Sequence, residues 1–113
     1  MCDKNLLNSL LQQLTDYSKE VFGDKLKKVI LYGSYARGDY DEESDIDVMI
    51  MVDLPPEELS NYRRKITYFC ADLNVDNSVL ISPKLQSLPL FEQWKVALPF
   101  YQNVAKEGVV VYG

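Results

Sequence analysis

The chain is 113 residues long with 47% apolar and 26% charged residues, a size and balance that fit one globular domain and exclude wholesale disorder. Twelve Lys and Arg against seventeen Asp and Glu leave a net charge of −5, the wrong sign for a general nucleic-acid surface. There is no histidine, so Ser-His-Asp and Cys-His catalysis and histidine metal sites are excluded, and any chemistry rests on carboxylates, hydroxyls, lysines, arginines or backbone.

In chain order, Leu7, Leu10, Leu11, Leu14, Tyr17 and Val21 fall at helical spacing and predict an amphipathic helix over 4–22, closed by Gly23. Val29-Ile30-Leu31-Tyr32 reads as a strand ending at Gly33, and Asp45 to Val52 as a second strand, apolar and unbroken from Val48. Asp53 is an N-cap candidate, Pro55-Pro56 suits a first turn, and Leu59, Tyr62, Ile66, Phe69 and Leu73 recur every three or four residues as one helix. Val75 to Ile81 is expected to be the third strand, stopped by Ser82-Pro83. Pro89 and Pro99 divide residues 84–98 into short helical pieces, with Leu90, Phe91, Trp94 and Leu98 as core candidates. A helix through Tyr101, Val104 and Ala105 runs to Gly108, and Val109 to Tyr112 is the last strand.

Strands separated by helices imply an α/β or α+β fold, a small mixed sheet flanked by helices. With no repeat, low-complexity run or linker, residues 1–113 are expected to form a single domain. No run approaches the roughly 18 apolar residues of a membrane span, and the N-terminus has neither the basic lead nor the apolar core of a signal peptide. Cys2 and Cys70 do not make a disulfide framework, so a reduced, cytoplasmic setting is expected, with Cys70 a small buried thiol.

Acidity is concentrated between Asp39 and Asp47, where six acids (Asp39, Asp41, Glu42, Glu43, Asp45 and Asp47) stand with no base. Such a block normally stays solvated, yet this one runs into a strand expected to be buried, where carboxylates repel one another and resist desolvation unless a cation neutralises them. Asp45 and Asp47 are two apart on a strand, so both carboxylates share a face and offer hard oxygen ligands of the kind Mg²⁺ prefers. Ahead of them, Gly33 permits a sharp turn and close backbone approach to a ligand, and Ser34 adds a hydroxyl suited to phosphate. Arg37 either pairs with a phosphate or balances the acid block; Tyr35 either stacks or packs. A helical crossover between strands two and three makes them parallel and places Asp76, near the start of the third, close to Asp45 and Asp47. Arg63-Arg64-Lys65 reads as a solvated helix face.

Gly33-Ser34-x-Ala36-Arg37-Gly38-Asp39 with Ser44-Asp45-Ile46-Asp47 resembles the signature of the DNA polymerase β-type nucleotidyltransferase superfamily, and most of all its small minimal nucleotidyltransferases (MNT). The resemblance implies a polymerase β-like core, a triphosphate held at Gly33 and Ser34, and two Mg²⁺ ions held by Asp45 and Asp47. It also implies a third carboxylate on a later strand, acting as metal ligand or base; Asp76 is the candidate and Asp72, read as a surface helix residue, the fallback.

Larger members of the superfamily carry a second domain for the acceptor, for which this chain has no evident room. Proteins resembling it are paired with HEPN-domain toxins and transfer AMP from ATP to a tyrosine of the toxin. The leading expectation is therefore an ATP- and Mg²⁺-dependent adenylyltransferase acting on a HEPN-type partner, with no membrane or general nucleic-acid association; assembly into an oligomer stays open. The rivals are adenylylation of a small molecule such as an aminoglycoside, and an antitoxin that neutralises by contact alone. A nucleic-acid polymerase conflicts with the acidic balance and short chain.

Overall fold

The computed structural model describes residues 3–41 and 43–113, so the expectations for Cys2 and Glu42 lie outside the described residues. Helix α1 spans Lys4–Phe22 and is capped by Asp3, whose carboxylate accepts from the Leu6 N–H at 2.7 Å. Strand β1 (Leu26–Tyr32) leads through Gly33 into the one-turn helix α2 (Ser34–Arg37), and β2 (Ile46–Val52) follows the acidic segment. Then come α3 (Pro56–Leu59), α4 (Arg63–Asn77), β3 (Ile81–Ser87), α5 (Leu88–Trp94), α6 (Pro99–Glu107) and β4 (Val109–Tyr112).

The four strands form one mixed sheet in the order β3-β2-β1-β4, with β2 parallel to β3 and β1 antiparallel to both β2 and β4. Strand alternation splits the core in two. Val29, Leu31, Val48, Ile50 and Val52 face α1 and α4, while Ile30, Met49 and Met51 face Phe91 of α5 and Val104 of α6. β2 is therefore covered on both faces, and every residue in it is buried except Asp47. A carboxylate-bearing residue is thus built into the innermost strand at its solvent end.

Three expectations are corrected. The helix expected from Asp53 to Leu73 is two helices: Pro55 is the N-cap of α3, and the Asp53 N–H instead donates to the Lys25 carbonyl. The apolar repeat survives the break, because Leu59, Ile66 and Leu73 are all buried.

The strand expected at 75–81 is helix to Asn77. Val75, 81% exposed, belongs to the outer face of α4, and the strand begins at Ile81 and runs through Pro83. Asn74 sets that boundary: its side chain accepts from the Ile81 N–H at 2.8 Å, and Ser78 ends the helix in the left-handed region. Pro83 is tolerated because β3 is an edge strand, where a missing N–H costs no ladder bond. The parallel pairing inferred from the crossover holds, with β3 displaced along the sequence.

Trp94 and Leu98, expected in the core, are 41% and 42% exposed; of that group Phe91 is buried. Arg63, Arg64 and Lys65 are exposed, as read from sequence. No helix among the described residues is long and apolar enough to cross a membrane.

Cys70 sits in α4 against the core, and burial pushes its thiol up to about 12. Since the thiolate is the reactive form, iodoacetamide at pH 8 is expected to leave Cys70 unlabelled in the folded protein and to label it in denaturant, as read by peptide mapping.

Candidate active site

The site is assembled where β1 and β2 end together. Tyr32, the last residue of β1, pairs with Asp47 across the antiparallel ladder. The chain then turns at Gly33, whose φ of 74° and ψ of −154° lie in a region reserved for glycine. A Cβ at this position would collide with the Asp47 carboxylate, so only a bare backbone lets the turn lie against that acid. The Ala36 and Arg37 N–H groups close the turn by donating to the Gly33 carbonyl, both at 3.1 Å.

Asp45 stands one residue before β2, and its Oδ2 accepts from the Ser82 hydroxyl at 3.3 Å. Ser82 is the register partner of Asp47 on the parallel neighbour β3. Asp45 and Asp47 are both half-buried, and the Asp47 carboxyl is held above the usual carboxylate range, chiefly by burial and then by the negative charge of Asp45, against a smaller opposing pull from Arg37. Burial, and then the charge of Asp47, likewise raise the Tyr32 phenol. With its ionised form opposed by burial and by a neighbouring carboxylate, Asp47 is suited, together with Asp45, to a divalent cation. Hard oxygen ligands with only two protein carboxylates match Mg²⁺ completed by water and substrate phosphate oxygens.

The sign of the linkage follows from that raised value. The folded state holds the Asp47 proton more tightly than the unfolded chain does, so the protonated group favours folding and ionisation removes that advantage. In chelator, the urea midpoint of the wild type relative to Asp47→Asn is expected to be highest below the ordinary Asp value, about 3.8, and to fall as pH rises through the raised folded value. Parallel midpoints for the two proteins across that window would refute it.

Gly33, Ser34, Arg37 and Asp47 line an open cleft of about 360 Å³ together with Tyr32, Phe100, Asn103, Val104 and Glu107. Arg37 is exposed and held by Asp39, at 3.2 Å from its Nε, and by Glu107 of α6, at 3.7 Å. It therefore balances the acid block and still borders the cleft. Tyr35 is buried and stacked on Tyr40 at 4.2 Å between ring centroids, which makes it a packing residue.

Asp76 is not near the start of the third strand, where the sequence placed it. Asp76 lies exposed in the last turn of α4, outside β3 and outside the cleft lining, and Asp72 is exposed on the same helix. The β3 residues paired with Ile46, Asp47 and Val48 are Ile81, Ser82 and Pro83, and β3 carries no acid. Among the described residues, no group of three or more His, Cys, Asp or Glu is disposed to hold a metal.

The contribution of α6 was not read from the sequence. Phe100, Asn103, Val104 and Glu107 recur at three, four and seven residues, the mark of one helical face, and that spacing was available before the cleft was seen.

A sequence model of the nucleotidyltransferase domain matches residues 10–101. A protein of Methanocaldococcus jannaschii, named for an assigned protein adenylyltransferase activity, is 35% identical over 102 residues, covering 90% of this chain and 94% of its own. A second protein of that organism, with the same assigned activity, is 40% identical over 77 residues, covering 66% of this chain and 76% of its own. Among solved structures, a toxin–antitoxin crystallised with AMP-PNP superposes with a TM-score of 0.55 over 90% of this chain and 73% of its own, at 17% identity. A mutant of the toxin–antitoxin MntA-HpeT superposes over the same shares with a TM-score of 0.54 and the same identity. At that identity the superpositions bear on the fold.

Proposed function

The chain is a nucleotidyltransferase, a member of the nucleotidyltransferase-domain family, and on that premise we propose that it transfers AMP from ATP to a tyrosine hydroxyl of a HEPN-type partner protein. The observation that carries this reading is Asp47 set against the Gly33-Ser34 turn in one open cleft, with Asp45 close enough to bear on its charge. Relatives named for protein adenylyltransferase activity, and fold neighbours that are toxin–antitoxins, one of them crystallised with AMP-PNP, support the choice of nucleotide and of acceptor class.

In this reading the backbone at Gly33 and the Ser34 hydroxyl receive the triphosphate, and Arg37 balances its charge. Asp45 and Asp47 hold Mg²⁺, and Ser82 fixes the rotamer of Asp45 through its hydrogen bond. When bound, the cation neutralises phosphate charge and lowers the pKa of the attacking hydroxyl. The hydroxyl gives up its proton to solvent, its oxygen bonds to the α-phosphorus as the bond from that phosphorus to the α,β-bridging oxygen breaks, and pyrophosphate departs. The openness of the cleft suits an acceptor presented by another macromolecule.

The test is incubation with ATP labelled in the α-phosphate, Mg²⁺ and the product of the neighbouring gene. Label is expected on a tyrosine of that partner, located by mass spectrometry, and omission of Mg²⁺ or addition of chelator is expected to abolish it. A partner that binds but never acquires label would leave an antitoxin acting by contact alone.

A further inference from the structure

The cleft lining is of two chemical kinds. Gly33, Ser34, Arg37, Asp47 and Glu107 supply backbone, hydroxyl and charged groups, whereas Tyr32, Phe100, Asn103 and Val104 supply rings, an amide and an aliphatic wall. Val104 is buried against Ile30 and Met49 and anchors α6, which fixes the helical face that carries Phe100 and Asn103. The Phe100 ring is 42% exposed, an uncommon placement for phenylalanine, and is braced by the Tyr32 ring at 5.8 Å in an edge-to-face contact. Lys84 Nζ stands 5.3 Å from the Phe100 centroid, so the ring already offers a π surface to a polar group on a flexible stem that can move aside.

We propose that the α6 wall of the cleft is the nucleobase subsite, in which Phe100 stacks on the base and the Asn103 side chain reads its N7 edge. The inference rests on the nucleotidyltransferase reading and extends it to the choice of base. A carboxamide offers adjacent donor and acceptor groups, which match the N6 amine and N7 acceptor on that edge of adenine, whereas the same edge of guanine presents two acceptors, O6 and N7, and leaves the amide oxygen unpaired. Stacking on an aromatic face supplies affinity without selecting a base, so the two residues divide the work. Spacing places Asn103 one turn after Phe100 on the same side of α6, as a base stacked on the ring requires.

Calorimetric titration in Mg²⁺ with ATP, GTP and inorganic tripolyphosphate tests this. Wild type is expected to bind ATP most tightly. Phe100→Ala is expected to weaken ATP about tenfold or more, within the usual range for loss of one stacking partner, with tripolyphosphate binding unchanged. Phe100→Trp is expected to restore ATP binding, and Asn103→Ala to erase the preference for ATP over GTP. Because both side chains are exposed, folding should survive, which circular dichroism checks. Wild type binding ATP no better than tripolyphosphate, or Phe100→Ala weakening both ligands equally, would overturn the base subsite and leave the phosphate site standing. Binding of none of the three ligands would overturn both readings.

Discussion

Replacing Asp45 and Asp47 together by asparagine is expected to abolish nucleotidyl transfer while raising the thermal stability of the metal-free protein. The two effects have one cause. Asp47 is the single residue of β2 left short of burial, and its ionised form is opposed by desolvation and by Asp45. Asparagine keeps the shape and removes the charge, so the fold sheds an unfavourable interaction. The same change removes both anionic ligands through which a cation would be held against the triphosphate. A loss of about 10³-fold or more is expected, since removing even one electrostatic partner of a transition state commonly costs about 10²–10³-fold. Calorimetric melting in chelator reads the first effect and transfer of labelled AMP the second. Added Mg²⁺ with ATP should then stabilise the wild type and leave the variant unmoved, because only a ligand that binds the folded state shifts its melting. Transfer that persists in the double variant would remove the carboxylate pair from the chemistry, and a fall in its stability would refute the unfavourable charge at Asp47.

The feature that made this pair legible in the sequence is its conflict with its surroundings. Carboxylates at the mouth of an apolar strand have no structural reason to be there, and the two-residue spacing that keeps Asp45 within charge range of Asp47 is visible in the sequence. β1, β2 and α1 were readable for a similar reason: their apolar patterns match the burial they receive. The β3 region was not. Val75 looks like the start of a strand, but it is an outward residue of α4, and the helix ends where Asn74 caps the backbone of Ile81, seven positions on. A side-chain cap of that kind has no periodic signature. Pro83 read as a stop because its consequence depends on whether a strand lies at a sheet edge, which is knowable only once the strands are ordered. Asp76 was misplaced by that same shift. The role of α6 was missed because Phe100 and Asn103 acquire meaning only when β4 folds back on β1 and brings the helix end beside Gly33.

Gly33→Ala should be nearly as damaging to activity as loss of a carboxylate, and for a steric reason. At φ 74° and ψ −154° an L-residue is strained by about 1–3 kcal/mol whatever lies nearby. The added methyl would also overlap the Asp47 carboxylate, with the Asp47 Cγ at 3.2 Å and Cβ at 3.3 Å closing off any small adjustment. Either the turn lifts away from β2 or the Asp47 side chain leaves its rotamer; both separate the Gly33-Ser34 turn from the Asp47 oxygens, which the proposed function sets against one substrate. A displacement of about 1 Å in such a constellation commonly costs about 10²-fold in rate, and a loss of that order in transfer is expected. Gly38→Ala is the control. Gly38 also has positive φ, at 86°, but a Cβ there meets nothing within 4 Å. It should therefore cost about 1–2 kcal/mol of stability, as left-handed backbone does for an L-residue, and leave transfer largely intact. Urea midpoints and transfer rates measured on both variants separate backbone strain, which the two share, from the collision with Asp47, which only Gly33→Ala suffers. Equal loss of activity in the two would mean that the turn matters through its stability alone, and that the close approach of Gly33 to Asp47 has no part in positioning the substrate.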